Sequence, residues 1–270
     1  MKVLNNLLDV AALSGNLRAL MRYAANRSEG LQYGSYDLND EVALALSFVK
    51  PSRGGGVVVD AGANKGDWSR HFLVGNPAVE KLIVIEPQGV HIESLYQLFA
   101  DNQRVVIEQV AVGAEPGTLE LYADTAGSGL ASLYQRNLTH VGVKMTSQEL
   151  VSVTTLDALA QQHGIDRIAF LKLDLEGHEL EALKGAKDLL DRQAIDALAF
   201  EFGGCNIDSR TYIKDFWSLL VYQHGFSLYR LLPKRRLKRL PKYSETLEQF
   251  SWQNILACAP SISPSCKVLD

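Results

Sequence analysis

Apolar residues fall into two patterns along the chain. From residue 57 onward they form short unbroken runs: VVVDAG (57–62), LIVIEP (82–87), VVIEQVAVG (105–113), IAFLKLDLEG (168–177) and IDALAFEFGG (195–204). Runs of this kind suit strands covered on both faces. The first, second, fourth and fifth are followed by stretches of helical character, such as DWSRHFLVG and HELEALKGAKDLL. Strands alternating with helices predict a parallel sheet with helices on both faces. Before residue 51 the spacing is helical instead, in Leu4, Leu7 and Leu8 and again in Val42, Leu44, Leu46, Phe48 and Val49. PSRGGG (51–56) separates the two patterns. The expected organisation is an N-terminal helical extension over 1–50 and one α/β domain over 51–270. FSLYRLLP (226–233) and NILACAP (254–260) read as two more strands, joined by a loop holding KRRLKR (234–239). Residues 114–150 lack a clear period and read as a hairpin plus an irregular insertion.

One run breaks the apolar rule. In KLDLEGHE (172–179), Leu171, Leu173 and Leu175 alternate with Lys172, Asp174 and Glu176, so a regular strand sets the three charges on one face. A solvated strand face explains such alternation in an edge strand. In an inner strand of a covered sheet the charges belong at the carboxyl end, where ligands bind in open α/β folds.

Composition adds mainly exclusions. The chain of 270 residues is 47% hydrophobic and 21% charged with a formal net charge of -4, which indicates neither disorder nor a nucleic-acid binder. Cys205, Cys258 and Cys266 are odd in number and widely spaced, without a C-x-x-C, so a reducing, cytoplasmic setting is expected. No apolar run is long enough to span a bilayer. The sequon NLT (137–139) is then a chance match.

The candidate chemistry begins where the first strand ends. DAGANKGDWS places Asp60, Gly62 and Gly66 in the spacing D-x-G-x-x-x-G. Such a loop brings a ligand close to the backbone and to the N–H groups of the next helix. The second strand ends in Glu86, 26 positions after Asp60, where a carboxylate can accept both hydroxyls of a ribose. Asn64 stands where a dinucleotide fingerprint needs its second glycine, and GANKGD is no P-loop. Asp60 repels a pyrophosphate but suits a cation, so the implied ligand is a ribose-bearing cation such as S-adenosylmethionine.

On these residues the sequence resembles the FkbM family of class I S-adenosylmethionine-dependent methyltransferases. The stretches that carry the likeness are VVDAGANKGDWS, IEPQ, QVAVGAEPGTLEL, and the run from VTTLDAL through FLKLDLEGHELEALKGA. The resemblance implies a Rossmann-like sheet of seven strands, six parallel and one antiparallel, with helices on both faces. It implies S-adenosyl-L-methionine as cofactor, with Asp60, Gly62, Asn64 and Gly66 along its methionine end and Glu86 on its ribose. Gln109, Val110 and Ala111 then border the adenine, and Asp174 stands beside the reacting methyl. The implied activity is O-methylation of a hydroxyl on a sugar, glycolipid or polyketide-type molecule. Ala61 and His178 depart from the usual pattern.

Within that reading, Asp174 is the first candidate to orient and deprotonate an acceptor, and His178 the second. Glu176 completes the catalytic group or, like Glu201, holds nearby loops; Glu201 is also placed at the acceptor. Lys172 is expected to pair with a carboxylate, because an isolated buried ammonium is costly. The carboxylates could hold Mg²⁺, but Lys172 competes for their charge, and no metal site is expected. The insertion around GSGLASLYQRN (127–137) is the candidate cover, with Gly127 and Gly129 as hinges and Ser128, Ser132 and Tyr134 facing the acceptor. KRRLKR reads as a solvated loop, or as a docking patch for an anionic partner. A small-molecule or glycan acceptor is the expected partner, and a homodimer stays open. A dinucleotide-dependent oxidoreductase and a non-catalytic cofactor-binding module are the rival readings.

Overall fold

The computed structural model describes residues 15–31, 38–49, 56–76 and 79–269. Leu4, Leu7, Leu8 and most of PSRGGG lie outside these. Twelve strands are described. They are β1 (Val57–Ala61), β2 (Lys81–Ile85), β3 (Val105–Glu108), β4 (Ala111–Val112), β5 (Gly117–Ala123) and β6 (Ser147–Thr154), then β7 (Ile168–Leu173), β8 (Ile195–Phe202), β9 (Ser227–Leu232), β10 (Arg236–Leu240), β11 (Gln253–Cys258) and β12 (Lys267–Leu269).

The main sheet has nine strands in the order β12-β10-β9-β11-β8-β7-β1-β2-β3. β1, β2, β3, β7 and β8 run parallel, β11 runs against β8, and β9 runs against β11. The seven strands from β3 to β9 therefore hold six in one direction with β11 reversed, as the sequence led us to expect. β10 and β12 extend the sheet beyond that set. KRRLKR is accordingly not a loop. Lys234 and Arg235 take positive φ in a tight turn, and Arg236 onward pairs with β9. Its cations meet acids of the N-terminal helices: Arg235 lies 3.5 Å from Asp40, and Lys238 lies 2.6 Å from Glu29.

The apolar run 105–113 also divides. β3 ends the main sheet, whereas β4 belongs to a separate sheet in the order β4-β6-β5. β5 and β6 form the expected hairpin, and residues 124–146 between them are irregular apart from a 3-10 turn at Thr139–Val141 and a bridge from Ser132 to Tyr122 of β5.

Alternation along the inner strands builds a core on each side of the sheet. Val59, Ile83, Leu171, Leu173 and Phe200 pack on one side with the helices Glu179–Lys184 and Lys187–Asp191. Val58, Val84, Phe170 and Leu256 pack on the other side with the helices Leu38–Phe48 and Asp67–Gly75. Helix Leu38–Phe48 thus contributes Val42, Leu44, Ala45 and Phe48 to the same core as β1 and β7. Among the described residues no helix is long and apolar enough to cross a membrane.

Candidate functional site

The carboxyl ends of β1, β2 and β7 meet around one glycine. Gly62 has φ 84°, and a Cβ there would lie against the carbonyl oxygen of Asp174. No larger residue lets the two strand ends approach this closely. Asn64, with φ 50°, turns the loop back so that its N–H donates to Glu86 Oε2 at 2.7 Å. Gln88 N–H donates to Glu86 Oε1 at 2.8 Å. Glu86 is buried, and burial raises its pKa while these two N–H groups pull it back. With the Gln88 side chain as a further donor, three of the roughly four lone-pair sites of the carboxylate are engaged, and the remainder faces the cavity.

The three charges of the KLDLEGHE stretch do not share one environment. Lys172 stands opposite Asp60 in the parallel register, on the face covered by the helix Leu38–Phe48. Its ammonium lies 3.2 Å from Asp60 and 3.1 Å from Asp174, and 5.9 Å from the centre of the Trp68 ring. Asp60 is fully buried, and its Oδ2 accepts a 2.6 Å hydrogen bond from Ser69. Its Oδ1 has the ammonium beside it but no well-directed hydrogen bond. Nearby carboxylates hold the Lys172 pKa up, overcoming desolvation, which opposes it as the largest effect. The strand ends at Leu173, and Glu176 takes φ 50°, which breaks the alternation. Its carboxylate therefore turns away and pairs with Arg136 from the insertion, whose guanidinium also lies 3.4 Å from Asp208. Burial pushes Glu176 up to about 7.

Two cavities flank this junction. One, of about 150 Å³, is lined by Glu86, Val110, Ala111, Leu133, Leu175, Glu176 and His178 among others. The other, of about 250 Å³, lies beneath the helix Leu38–Phe48 and is lined by Glu41, Leu44, Trp68, Lys172, Glu201, Trp252 and Asn254 among others. Gly62, Asn64 and Asp174 line both. We refer to them as the Glu86 cavity and the Glu41 cavity.

Most residues singled out from the sequence converge here, in unequal ways. Gly66 starts the helix Asp67–Gly75 and packs against Leu95 rather than facing either cavity. Gln109 is exposed and lies outside both cavities, whereas its neighbours Val110 and Ala111 line the Glu86 cavity. His178 is buried, which drives its pKa down to about 4, and its Nδ1 lies 3.1 Å from the Tyr134 hydroxyl. Its imidazole is thus neutral and weakly basic at neutral pH. The insertion lines the Glu86 cavity and not the Glu41 cavity, and of the polar side chains expected at an acceptor only Ser128 lies at a cavity wall. Ser132 is 1% exposed and donates its hydroxyl hydrogen to the Glu176 carbonyl at 2.8 Å, while Tyr134 N–H donates back to it at 3.2 Å. Neither Ser132 nor Tyr134 lines either of the two cavities; Ser128, Gly129, Ala131 and Leu133 line the Glu86 cavity. Ser128 is tied down, its carbonyl accepting from Asn64 Nδ2 at 3.4 Å and Gln88 Nε2 at 3.2 Å.

Carboxylates crowd the rest of the junction. Glu179 is fully buried, and its Oε1 accepts the N–H groups of Leu175 at 2.9 Å and Gly177 at 3.2 Å. Glu179 thereby holds the LDLEG turn through backbone N–H groups, the kind of role expected of Glu176 and Glu201. Burial raises Glu179 to about 7, and raises Glu201 well above the usual carboxylate range. Among the described residues no group of three or more His, Cys, Asp or Glu side chains is arranged to hold a metal ion.

Glu41 was not singled out from the sequence. It faces its cavity from the helix Leu38–Phe48, its Oε1 accepting a 2.6 Å hydrogen bond from Asn254 of β11. Desolvation raises it to about 7 against the opposing pull of Lys172. The available signal was an acid beside Asp40 in the first turn of a helix, a position where acids are common for the helix dipole alone.

At the level of sequence no curated protein is matched. Among solved structures, an FkbM methyltransferase from Methylobacillus flagellatus aligns with TM-score 0.46 and 18% identity, over 75% of this chain and 43% of that one. The chain thus spans less than half the length of that structure. A putative rRNA methylase from Clostridium thermocellum aligns with TM-score 0.44 and 10% identity, over 83% of this chain and 97% of the other. A putative RNA methyltransferase from Pyrococcus horikoshii aligns with TM-score 0.40 and 13% identity, over 85% and 87%. The family model described as the methyltransferase FkbM domain matches residues 60–228. With the glycine loop, Glu86 and the LDLEG turn all inside that span, the chain belongs to the FkbM methyltransferase family.

Proposed function

We propose that the protein is an S-adenosylmethionine-dependent O-methyltransferase that acts on a hydroxyl of a small molecule, such as a sugar, glycolipid or polyketide. The observation that carries this reading is the meeting of two cavities at Gly62, Asn64 and Asp174. Methyl transfer needs donor and acceptor in line across one point, and a double cavity with a shared waist offers that arrangement.

The residues fit the cofactor. Glu86, held by backbone N–H groups at the end of β2, presents an acceptor carboxylate to the cavity where ribose hydroxyls would lie. Ile85, Val110 and Leu133 give the Glu86 cavity apolar walls suited to adenine. At the waist Asp60 and Asp174 outnumber Lys172, leaving a negative field that favours a cationic group. When bound, S-adenosylmethionine supplies a methyl group made electrophilic by its sulfonium. Asp174, at the waist, is the residue the sequence offers for orienting the acceptor hydroxyl. A buried Asp60 and the missing second glycine weigh against a pyrophosphate and hence against a nicotinamide dinucleotide.

Calorimetry with S-adenosylmethionine, S-adenosylhomocysteine and NAD tests the cofactor. Binding of both sulfur ligands and no heat from NAD is expected; the reverse would reject the reading. Transfer of label from methyl-labelled cofactor into a small-molecule extract of the source organism tests the reaction. Base-stable label on hydroxyl oxygen is expected, whereas label recovered only on nitrogen or carbon would reject O-methylation.

A further inference from the structure

We propose that Glu41, positioned by Asn254, accepts the proton from the acceptor hydroxyl, and that the Glu41 cavity holds the acceptor. The proposal rests on the O-methyltransferase reading above and adds the proton acceptor and the character of the acceptor to it.

Geometry comes first. Asp174 is the obvious carboxylate at the waist, yet it is engaged. The Lys172 ammonium sits 3.1 Å from its Oδ2, and its side chain is 42% exposed. An ion-paired, wet carboxylate is a poor proton acceptor for an alcohol, because the ammonium competes for its lone pairs. Glu41 lines the same cavity from the helix Leu38–Phe48 and, among the described residues, accepts one neutral hydrogen bond, at 2.6 Å, from Asn254 Nδ2. That bond orients the carboxylate, and among the described residues Oε2 has no hydrogen-bond partner.

The charged groups that act on Glu41 are Lys172 and Asp174 at the end of β7 and Asp60 of β1. Lys172 favours the anion, and the two aspartates oppose it. Desolvation exceeds them all and brings Glu41 to about 7, close to the value at which a carboxylate serves best as a base at neutral pH. In the reaction the acceptor oxygen's lone pair forms the O–CH₃ bond and the C–S bond breaks with its electron pair going to sulfur. The hydroxyl proton passes to Glu41 Oε2.

Position in the chain gives a second argument. Glu41 and Asn254 both lie outside the family span of 60–228, one on each side of it. Leu38, Leu44, Leu231 and Leu256 line the same cavity beside Trp68 and Trp252. The acceptor class is therefore an amphiphile, with its reacting hydroxyl at Glu41 and an apolar portion against these side chains. A free, fully hydrated sugar would leave that wall without a partner.

The test is the Glu41→Gln variant, which keeps shape and retains a partner for Asn254. Wild type is first confirmed to transfer labelled methyl into a small-molecule extract of the source organism; no transfer there defeats the O-methyltransferase reading itself. With that established, Glu41→Gln is expected to lower turnover about 10²–10⁴-fold, with S-adenosylhomocysteine affinity within about threefold, or ~0.7 kcal/mol. Wild-type turnover is expected to rise with pH through about 7, the value of Glu41, and the variant to lose that limb. Near-normal turnover in the variant overturns the proposal. So does a tenfold loss of S-adenosylhomocysteine affinity with turnover restored at saturating cofactor, which would assign Glu41 to the cofactor's ammonium. The wild-type pH profile needs no variant: a flat rate between pH 5.5 and 8.5 overturns it too. Label recovered only in the fraction not retained by a reversed-phase column overturns the amphiphile.

Discussion

The Glu86 cavity and the Glu41 cavity share Gly62, Asn64 and Asp174 but are built in different ways. The walls of the first come from residues 62 to 178, largely at the carboxyl ends of successive parallel strands. The walls of the second come from the helix Leu38–Phe48, the ends of β1, β7 and β8, and the strands β9 and β11. A parallel sheet delivers its strand ends to one edge in sequence order, so a ligand lying along that edge meets short local motifs. A ligand over the reversed end of the sheet meets residues that only the completed fold brings together. The first cavity is therefore lined wholly from within the family span of 60–228, whereas the second also draws on Leu38, Glu41 and Leu44 before that span and on Leu231, Trp252, Asn254, Ile255 and Leu256 after it.

The largest expected effect strikes the shared waist. Lys172→Met leaves Asp60 buried beside a neutral side chain. Removing one partner of a buried pair costs about 3–5 kcal/mol, so a clear drop in the unfolding midpoint in urea is expected. Unchanged stability would contradict the buried Lys172–Asp60 pair. Gly62→Ala should follow, because φ 84° and the Asp174 carbonyl both exclude a Cβ. Backbone strain and overpacking together predict a loss of about 2–4 kcal/mol and weakened binding at both cavities. An effect on one cavity alone would contradict the shared wall.

Glu86→Ala separates the two halves. It should weaken S-adenosylhomocysteine binding by about 1.5–3 kcal/mol and leave the pH dependence of turnover at saturating cofactor unchanged. The stability of the protein itself carries a pH signature. Burial raises Glu41, Glu176 and Glu179 to about 7 from an ordinary 4.5. These three carboxyls bind more protons in the folded than in the unfolded chain, so their contribution is full below about pH 4.5 and is lost as pH rises through 7. His178, lowered to about 4, opposes them with a single group below its ordinary 6.5. A thermal midpoint that falls from pH 5 to 8, less steeply in Glu41→Gln, is expected; a rising midpoint would contradict the burial of these carboxyls. The smallest effect is Gln109→Ala, which should change cofactor affinity by under ~0.5 kcal/mol, since Gln109 is exposed and lies outside both cavities.

The same contrast explains how much was legible in the sequence. β1, β2, β7 and β8 are apolar runs in a covered sheet, and the D-x-G-x-x-x-G loop and Glu86 sit at fixed places on them. The hairpin of β10 was hidden because Arg236, Lys238 and Arg239 resemble a solvated run. The pairing of Lys238 with Glu29 joins residues over two hundred positions apart. Glu176 was assigned to the Lys172 face because alternation assumes continuous strand, and the turn at φ 50° ends it. Ser132 looked available to an acceptor, but its hydroxyl is consumed by the backbone of Glu176 and Tyr134. Glu41 meets Asn254 only after β11 inserts between β8 and β9.

The most direct test of the two-cavity account is a crystal structure of the protein soaked with S-adenosylhomocysteine. The account predicts adenosine in the Glu86 cavity, with both ribose hydroxyls on the Glu86 carboxylate and the sulfur at the waist facing Asp174. The Glu41 cavity should stay open beyond the sulfur. Adenosine lying between the helix Leu38–Phe48 and the sheet, against Glu41 and Trp252, would contradict it.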